Sequence, residues 1–268
     1  MAGQSNGNGE RVFRIAAPAV VGAIVLALWE ALIRHYEVPV YILPGPVAIG
    51  ETFWQDGGSL FASLLVTLRT ALVALAAAAI IGALLAILLA EWRWLELSVF
   101  PYAVALQVTP IVAIAPLIII LVNDTFLSLL ICAWIVSFFP VLSNTTFGLK
   151  SVDPNLDDLF RLYGATRLQR LAYLRLPTAL PHYLGGLRIS GGLALIGAVV
   201  AEFVASTGGS ETGIAWRIQE AGYRLQIPRM FAALLLLAAA GIVLFLVLTW
   251  ISNRLLRHWH ESALPKER

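Results

Sequence analysis

Residues 150–183 read KSVDPNLDDLFRLYGATRLQRLAYLRLPTALPHY, and this polar segment interrupts two long apolar stretches. Asp153 is a residue type that caps helix N-termini, and Pro154 follows it at the first helical position. Acidic side chains in the next turn suit the helix dipole, and Gly164 ends the helical pattern. The pattern predicts a short helix that begins at Asp153-Pro154 and ends before Gly164.

The first short helix carries one apolar stripe. Its members recur at i, i+3, i+4 and i+7, the spacing of a single helix face. A second, basic amphipathic stretch covers residues 166–174, and Leu176-Pro177 is expected to close it. The polar segment is therefore predicted to be two short helices that meet at a glycine elbow and lie against a membrane. The stripe consists of Leu156, Leu159, Phe160 and Tyr163.

Two interpretations of the polar segment are open. In the first, it is an interfacial loop whose arginines hold it on anionic lipid. In the second, it is a docking element for a cytoplasmic partner, and the same arginines supply polar contacts. The arginines concerned are Arg161, Arg167, Arg170 and Arg175.

The composition of the whole chain excludes a soluble globular protein. Of its 268 residues, 59% are hydrophobic and 13% charged, and the mean hydropathy is +0.83. A soluble domain carries about 25% charged residues. Cys132 is the single cysteine and lies in an apolar run, so no disulfide framework exists. The chain is expected to be an all-α, polytopic membrane protein.

The apolar stretches give six predicted spans. The third carries three prolines, and it is expected to bend and to be buried among other helices, because broken backbone in a bilayer needs partners. We expect a transmembrane domain over residues 15–252, a disordered terminus over 1–14 and a tail over 253–268. The predicted spans are residues 15–33, 64–89, 97–122, 126–149, 184–206 and 230–252.

Lysine and arginine are distributed unevenly between the two sides of these spans. Six spans put both termini and the polar segment on one side, which collects twelve of the eighteen Lys and Arg residues. The other side collects four, and Arg69 and Arg188 lie at span edges. Because cytoplasmic loops carry the excess of positive charge, both termini and the polar segment are predicted to be cytoplasmic.

No pattern in the chain predicts catalysis or a bound cofactor. A P-loop needs G-x-x-x-x-G-K-[ST], and Lys150, the only lysine followed by serine, is preceded by Leu149. No Ser/His or paired Asp set lies within the spans, which leaves an intramembrane hydrolase without support. His258 and His260 fit an interfacial tail better than a metal site. We expect no catalytic residue, metal or cofactor here, and any ATP and Mg²⁺ belong to a partner.

Polar and proline residues inside the spans are candidates to line a solute pathway. Prolines free backbone carbonyls, and neighbouring polar side chains add further groups at similar depth. The alternative is a kinked helix whose polar groups bond to neighbouring helices. Glu202 is weighed evenly between pathway lining and structural pairing. The candidates are Gln107, Thr109, Pro110, Asn144 and Glu202.

The fifth span is rich in small residues, which let helices approach closely within one chain or between two. Six spans are also few for a solute pathway within one chain. Residues 207–229 are expected to form a polar outer loop, either beside a delivery protein or as a cap over the bundle. The small residues are Gly191, Gly192, Ala194, Gly197, Ala198, Ala201 and Ala205.

The polar segment resembles the "EAA" loop of bacterial ABC importer permeases. That loop reads E-A-A, three residues, G, nine residues, I-x-L-P. Here Asp158, Gly164 and Leu174-Arg175-Leu176-Pro177 keep this spacing, while Asp158 stands for Glu and Leu159-Phe160 for Ala-Ala. The chain resembles the nitrate/sulfonate/taurine type over residues 60–250, including its thiamine-precursor and riboflavin relatives.

The resemblance implies a fold, a location and partners. It implies the six-helix, MetI-like architecture of type I ABC importers in the bacterial inner membrane. It also implies a permease homodimer, a cytoplasmic ABC ATPase dimer and an extracytoplasmic binding protein, with no nucleic-acid partner. The residues that the resemblance assigns to ATPase coupling are Asp157, Asp158, Leu159, Phe160, Arg161, Tyr163, Gly164, Arg170, Leu176 and Pro177.

The solute and the energy source are open at this point. Sulfonate-type relatives often have Arg-Pro near the position of Gln107-Val108, and its absence favours a neutral or heterocyclic solute. The alternative function is a secondary transporter that works without an ATPase and is driven by a proton through Glu202.

Overall fold

The computed structural model describes residues 6–205 and 212–257, and the regular elements of these ranges are all helices. Ten α-helices and one π-helical turn follow one another along the described chain. They are α1 (Asn6–His35), α2 (Pro46–Glu91), α3 (Arg93–Val108), α4 (Ile111–Val122), α5 (Thr125–Lys150), α6 (Pro154–Leu162), α7 (Arg167–Arg170), the π turn (Leu171–Arg175), α8 (Leu176–Ala205), α9 (Ile214–Tyr223) and α10 (Ile227–Leu256).

Four helices of the described chain are long and apolar enough to cross a bilayer, and the bent pair α3–α4 makes up to five. The prediction of an all-α, multi-pass protein is confirmed. The first predicted span, residues 15–33, lies inside α1, and the count of six spans stays a prediction. The four helices are α2, α5, the continuous helix Arg167–Ala205 and α10.

The third predicted span is broken rather than bent, and most residues of α3 and α4 are exposed in the single chain rather than buried. Helices α3 and α4 meet at an angle of 102°. Pro110 cannot donate a backbone hydrogen bond, and a residue before proline is driven out of the helical region. Thr109 accordingly has an extended backbone, with φ −74° and ψ 124°. α4 has only 12 residues, fewer than the roughly 20 that a straight bilayer crossing needs.

The ends of the predicted domains differ from the observed helices. α1 begins at Asn6, so residues 6–14 are helical where a disordered terminus is predicted. α1 extends toward the N-terminus because a helix that has already formed gains one hydrogen bond for each residue added to its end. α10 ends at Leu256. Residues 1–5, Ser206 of the fifth predicted span, and residues 258–268 of the tail lie outside the described residues.

The predicted polar outer loop contains a helix. Residues 206–211 lie outside the described residues, but α9 and the start of α10 occupy most of the remainder. The polar residues of this stretch indicate a loop, but its apolar residues form the stripe of an amphipathic helix. Ile214, Ala215, Ile218 and Ala221 share one face of α9, and each is at most 7% exposed.

The described part of the chain divides into two compact units, one within residues 1–61 and 217–235 and the other within residues 62–216 and 236–268. In the first unit, Glu30 of α1 accepts a hydrogen bond from Arg34 at 2.7 Å and one from the backbone N–H of Val47 at 3.3 Å. Val47 belongs to the first turn of α2, where N–H groups have no partner in their own helix. Trp29 also packs against Phe231, with ring centroids 6.2 Å apart.

The second unit contains the core that positions the candidate site. One buried cluster joins α2, α5, α8 and α10, and another joins α2, α3, α5 and α8. Half or more of the residues in each cluster are alanines, which lets the helix backbones approach closely. The first cluster consists of Ala71, Ala74, Leu75, Ala133, Ala194, Leu195, Ala198, Leu244 and Leu248.

The small residues of the fifth predicted span pack α8 against α5 within one chain. A Cβ atom added at Gly197 would lie 2.9 Å from the Cα of Ala133. One added at Gly186 would lie 2.7 Å from the carbonyl oxygen of Pro140. Gly192 has open space beside it. The face of α8 that contains Gly197 therefore packs closely against α5 of the same chain.

Candidate functional site

The polar segment begins with the helix start that the sequence predicts. Asp153 Oδ1 accepts a hydrogen bond from the backbone N–H of Asn155 at 2.8 Å, and Pro154 occupies the first turn of α6. A side-chain oxygen at this position satisfies an N–H group that the helix itself cannot. The capped start fixes where α6 leaves the end of α5.

Gly164 forms the elbow between α6 and α7. Its φ of +72° lies in the left-handed region that favours glycine. The backbone N–H of Ala165 bonds back to the carbonyl of Phe160 at 2.9 Å, which closes α6. Thr166 and Gln169 then form a reciprocal capping box that starts α7. The predicted glycine elbow is confirmed.

The second short helix does not end at Leu176-Pro177. α7, the π turn and α8 form one continuous helix, Arg167–Ala205. The backbone N–H of Leu176 bonds to the carbonyl of Leu171, five residues earlier. This wider turn accommodates Pro177, which lacks an N–H and would crowd a carbonyl of a regular helix. The expectation that Leu176-Pro177 closes the helix is wrong, and the polar segment leads directly into a transmembrane helix.

Asp157 joins the two arms of the elbow. Its carboxylate lies 2.7 Å from Arg161 Nη2 and accepts hydrogen bonds from Arg170 Nη1 at 3.1 and 3.3 Å. Burial raises the pKa of Asp157, but the Arg170 hydrogen bonds and the charges of Arg161 and Arg170 outweigh it, so the pKa lies below its ordinary value. The side chain of Arg170 is 16% exposed and that of Arg161 is 60% exposed. Arg170 therefore braces the elbow, and Arg161 is the arginine accessible to a partner.

An open apolar cavity of about 450 Å³ lies in the bend of the elbow. Two members of the predicted stripe stand partly in solvent there, with Leu159 45% and Tyr163 84% exposed. Aromatic and aliphatic side chains that line an open concavity are typical of a surface that a partner covers. We name this the elbow cavity. It is lined by Leu159, Phe160, Tyr163, Gly164, Ala165, Gln169 and Tyr173.

Asp158 takes no part in the ion pairs of the elbow. Its side chain is exposed, and it makes no ion pair with any residue in ranges 6–205 and 212–257. Asp157, one residue earlier, is already bonded to two arginines. Of the two acids, Asp158 is the one available to a partner.

Two further ion pairs join the polar segment to the α2–α3 junction, and sequence reasoning missed both. Arg175 Nη1 lies 2.9 Å from Glu91 Oε1, at the end of α2. Lys150, the last residue of α5, pairs with Glu96 of α3. No local spacing rule connects Glu96 to Lys150, 54 positions later, or Glu91 to Arg175, 84 positions later.

The pathway candidates of the third span lie together at the break between α3 and α4. Gln107, Thr109 and Pro110 are all exposed in the single chain. Thr109 Oγ1 donates to the carbonyl of Ala105 at 2.6 Å. Non-helical backbone at membrane depth is tolerated where protein covers it or water reaches it. The break is therefore suited to a second subunit or to a wet pathway.

Asn144 is not part of that group. Its Nδ2 donates to the carbonyl of Pro140, one turn earlier in α5, at 2.8 Å, and its side chain is half-buried. Gly186 of α8 packs against the same turn. The structure thus places Asn144 in the α5–α8 contact.

Glu202 is buried and bonded at the start of α9. It is 5% exposed, and its Oε2 accepts hydrogen bonds from Thr67 Oγ1 at 3.0 Å and from the backbone N–H of Ala215 at 3.1 Å. Thr67 Oγ1 in turn accepts the backbone N–H of Ile214 at 2.9 Å. A carboxylate at a helix N-terminus satisfies free N–H groups and suits the helix dipole. This geometry corresponds to the structural-pairing alternative.

Gly213 and Thr67 are the residues that the sequence did not connect with Glu202. A Cβ atom at Gly213 would collide with the Glu202 carboxyl group, so glycine lets the carboxylate reach the helix start. Thr67 lies 135 residues away in sequence. Within the described ranges, no group of three or more His, Cys, Asp or Glu residues is arranged to hold a metal ion.

Comparison of the sequence with known families gives a match over most of the chain. Residues 78–257 match the family described as binding-protein-dependent transport system inner membrane component. The chain is 36% identical to the riboflavin transport system permease protein RibX of Chloroflexus aurantiacus, over 89% of this chain and 88% of the relative. It is 31% identical to the formylaminopyrimidine transport permease protein ThiX of Halalkalibacterium halodurans, over 92% and 97% of the two chains.

Solved structures show the same fold at low sequence identity. A chain of an amino acid ABC transporter determined with histidines has a TM-score of 0.61 and 17% identity, over 77% of this chain and 97% of that chain. A chain of the inward-facing MetNI methionine ABC transporter has a TM-score of 0.57 and 16% identity, over 79% and 99%. These similarities establish the arrangement of the helices.

Proposed function

We propose that this chain, which belongs to the family of binding-protein-dependent transport system inner membrane components, forms the solute pathway of an ATP-driven importer. An extracytoplasmic binding protein delivers the small solute, and a separate cytoplasmic ATPase dimer supplies the energy. The chain itself contains no P-loop sequence, which fits this division of labour.

The elbow cavity is the observation that carries the proposal. It presents Phe160 and Tyr163 beside exposed Asp158, on the side of the membrane that the positive-inside rule makes cytoplasmic. An apolar concavity with an aromatic lining and a charged rim is a common form of protein-binding surface. The ATPase docks here, and Arg161 and Asp158 provide the polar rim.

The docking segment is built to move as a unit. Asp157 and Arg170 hold the two arms of the elbow together, and the continuous helix Arg167–Ala205 leads from the elbow into the bilayer. Closure of the ATPase dimer therefore displaces a whole transmembrane helix, and this displacement opens the pathway alternately to each side.

The pathway itself lies at the α3–α4 break in a homodimer of this chain. The exposed residues Gln107, Thr109 and Pro110 have no cover in one chain, and a second copy would enclose them. In this arrangement the protein has six spans, with α1 as the first, and both termini are cytoplasmic, as the distribution of Lys and Arg indicates.

The solute is proposed to be a heterocyclic compound. The relatives at 36% and 31% identity are named for riboflavin and formylaminopyrimidine transport. A relative named for aliphatic sulfonate transport is 30% identical, and relatives named for nitrate import are 26% and 24% identical. The absence of Arg-Pro near Gln107 points the same way.

The secondary-transporter alternative depends on Glu202 as a proton carrier. The hydrogen bonds of Glu202 to Thr67 and Ala215 give that residue a structural task. No other observation favours a proton-driven mechanism over an ATP-driven one.

Affinity purification and uptake test the proposed function. The tagged chain is purified from its native host in mild detergent, reconstituted into liposomes and assayed with radiolabelled riboflavin and a binding-protein extract. The proposal expects an ATPase in the purified sample and uptake that requires ATP inside the vesicle. Uptake by the chain alone on a proton gradient, with no ATPase recovered, would overturn it.

A further inference from the structure

We infer that α2 and α8 form a lever that is fixed at both ends, and that four side chains couple the cytoplasmic elbow to α9 on the outer side. Glu91 and Arg175 fix the cytoplasmic end, which we name the inner clamp. Thr67 and Glu202 fix the other end, which we name the outer clamp. All four are positioning residues for transport, and this role rests on the proposed function.

The inner clamp lies where the elbow enters the membrane. Arg175 is the last residue of the π turn, and its side chain and that of Glu91 are 23% and 21% exposed. Partial burial strengthens a charge-assisted hydrogen bond relative to a fully solvated pair. Any displacement of the elbow that moves Arg175 therefore pulls on the end of α2.

The outer clamp lies near the other end of α8, and about halfway along the longer α2. Thr67 Oγ1 donates to Glu202 and accepts the N–H of Ile214, so one hydroxyl joins α2, α8 and α9. Glu202 also accepts the N–H of Ala215. Thr67 is 0% and Glu202 5% exposed, which leaves these groups no water to replace a lost bond.

The distance between the clamps is long enough to span the hydrocarbon core of the membrane. At a rise of about 1.5 Å per residue, Thr67 and Glu91 stand about 36 Å apart along α2, and Arg175 and Glu202 about 40 Å apart along α8. These lengths exceed the hydrocarbon core of about 30 Å. The clamps therefore sit near the two surfaces of the bilayer.

Close packing joins the two helices between the clamps. Ala71, Ala74 and Leu75 of α2 share a buried cluster with Ala194 and Ala198 of α8. Packing alone resists separation, but small side chains permit sliding. Polar bonds at both ends oppose sliding and rotation, so the pair moves as one body and carries α9 with it.

Breaking each clamp separates a different helix from the movement of the lever. Loss of the outer clamp leaves the elbow and the bound ATPase intact but releases α9 from the movement. Loss of the inner clamp lets the elbow move without α2. In both cases ATP hydrolysis continues while solute movement falls, and a merely structural defect would lower both together.

The test of the outer clamp uses Thr67→Val, which removes the hydroxyl at nearly constant volume, with Thr67→Ser as the matched control. Each variant is purified with its ATPase, placed in lipid nanodiscs and labelled with a fluorophore at Tyr223→Cys, an exposed site on α9. Cys132 is buried, and a sample without Tyr223→Cys measures its background. ATP with vanadate is expected to change the fluorescence in the parent and in Thr67→Ser.

In Thr67→Val we expect that fluorescence change to be lost. Uptake, measured in liposomes, is expected to fall about tenfold, within the range of roughly 5–150-fold that is typical of coupling between sites. ATP hydrolysis is expected to stay near the parent rate. A preserved fluorescence change and preserved uptake in Thr67→Val would overturn the inference. A parallel fall of uptake and hydrolysis would also overturn it, by reducing the clamp to a stabilising contact.

The test of the inner clamp is a charge exchange. Arg175→Glu alone is expected to uncouple hydrolysis from uptake, and Glu91→Arg together with Arg175→Glu is expected to restore coupling. Failure of the exchange to improve on the single variant would contradict the inner clamp. If no ATPase is recovered even with the parent chain, the proposed function fails first, and that result is distinct from a failure of the lever.

Discussion

Arg170 donates two hydrogen bonds to Asp157, at 3.1 and 3.3 Å, across the bend of the elbow. The two residues lie on different helices, α7 and α6, on either side of Gly164. Because α6 is short and amphipathic, it depends on such contacts more than on its own propensity. The pair therefore sets the angle at which the polar segment is presented to a partner.

Replacement of Arg170 by Ala is expected to loosen α6. A charge-assisted hydrogen bond contributes on the order of 1.5 kcal/mol, so exchange of amide protons in α6 should rise about tenfold. Arg161→Ala is the matched control, because Arg161 pairs with the same carboxylate but is 60% exposed. Hydrogen exchange read by mass spectrometry makes the comparison. Equal effects of the two variants would show that burial of the Arg170 pair does not matter.

The elbow is expected to tolerate pH changes in the physiological range. The pKa of Asp157 lies below its ordinary value, so the stability that its ionised form contributes is fully present above about pH 4 and is lost as the pH falls through the lowered pKa. Amide exchange in α6 should be unchanged between about pH 5 and 8 once corrected for intrinsic rates. Asp157→Asn should remove any rise seen at lower pH. A rise already at neutral pH would contradict the assignment.

Gly164→Ala tests the backbone of the elbow without a steric clash. No atom lies within 4 Å of an added Cβ, so the cost comes from the positive φ, about 1–2 kcal/mol for a residue with a side chain. We expect weaker recovery of the ATPase and less transport per ATP hydrolysed. Gly185→Ala, in α8, also meets open space and should behave like the parent. Normal coupling in Gly164→Ala would show that the elbow accommodates another shape.

Gly197→Ala tests the α5–α8 contact. The added methyl group would meet the backbone of Ala133 at 2.9 Å, and overpacking of this kind typically costs about 1–3 kcal/mol. We expect a lower thermal midpoint in detergent, measured at a fixed heating rate. Gly192→Ala is the control, with open space at the same helix. A midpoint equal to that of Gly192→Ala would indicate that the two helices separate easily.

Glu202→Ala is expected to lower membrane abundance, and to lower transport per molecule further, because it also breaks the outer clamp. The change leaves the Ala215 N–H and the Thr67 hydroxyl without their acceptor in a buried place, a loss of about 1–3 kcal/mol for each group. Glu202→Gln keeps an acceptor oxygen and should be milder. Quantitative immunoblots beside uptake assays separate the outcomes. Membrane abundance equal to that of the parent would contradict this stabilising role of Glu202.

The helices and the elbow could be predicted from the sequence because their signals are local. Asp153-Pro154 and Gly164 follow rules that act within a few residues, and the structure shows the expected cap and positive φ. The long apolar runs likewise follow from composition alone. The helix end predicted at Leu176-Pro177 is wrong because a π turn accommodates a proline within a helix, whereas the usual rule places a helix end before a proline.

The clamps could not be predicted, because they join residues far apart in sequence. Glu202 could be flagged as an acid inside a span, but the sequence did not point to Thr67, 135 residues away, as its partner. Glu91 and Arg175 are 84 residues apart and follow no spacing rule. The buried face of α9 did have a signal, since Ile214 and Ile218 recur one turn apart, but the surrounding polar residues obscured it.

Recovery of the ATPase by a chain with Tyr163→Asp tests the central claim most directly. Tyr163 is 84% exposed and lines the elbow cavity, whereas Leu162, the last residue of α6, is 85% exposed and does not line it. We predict that the parent and Leu162→Asp retain the ATPase on affinity purification and that Tyr163→Asp loses it. Full recovery with Tyr163→Asp, at equal membrane abundance, would contradict docking at the elbow cavity.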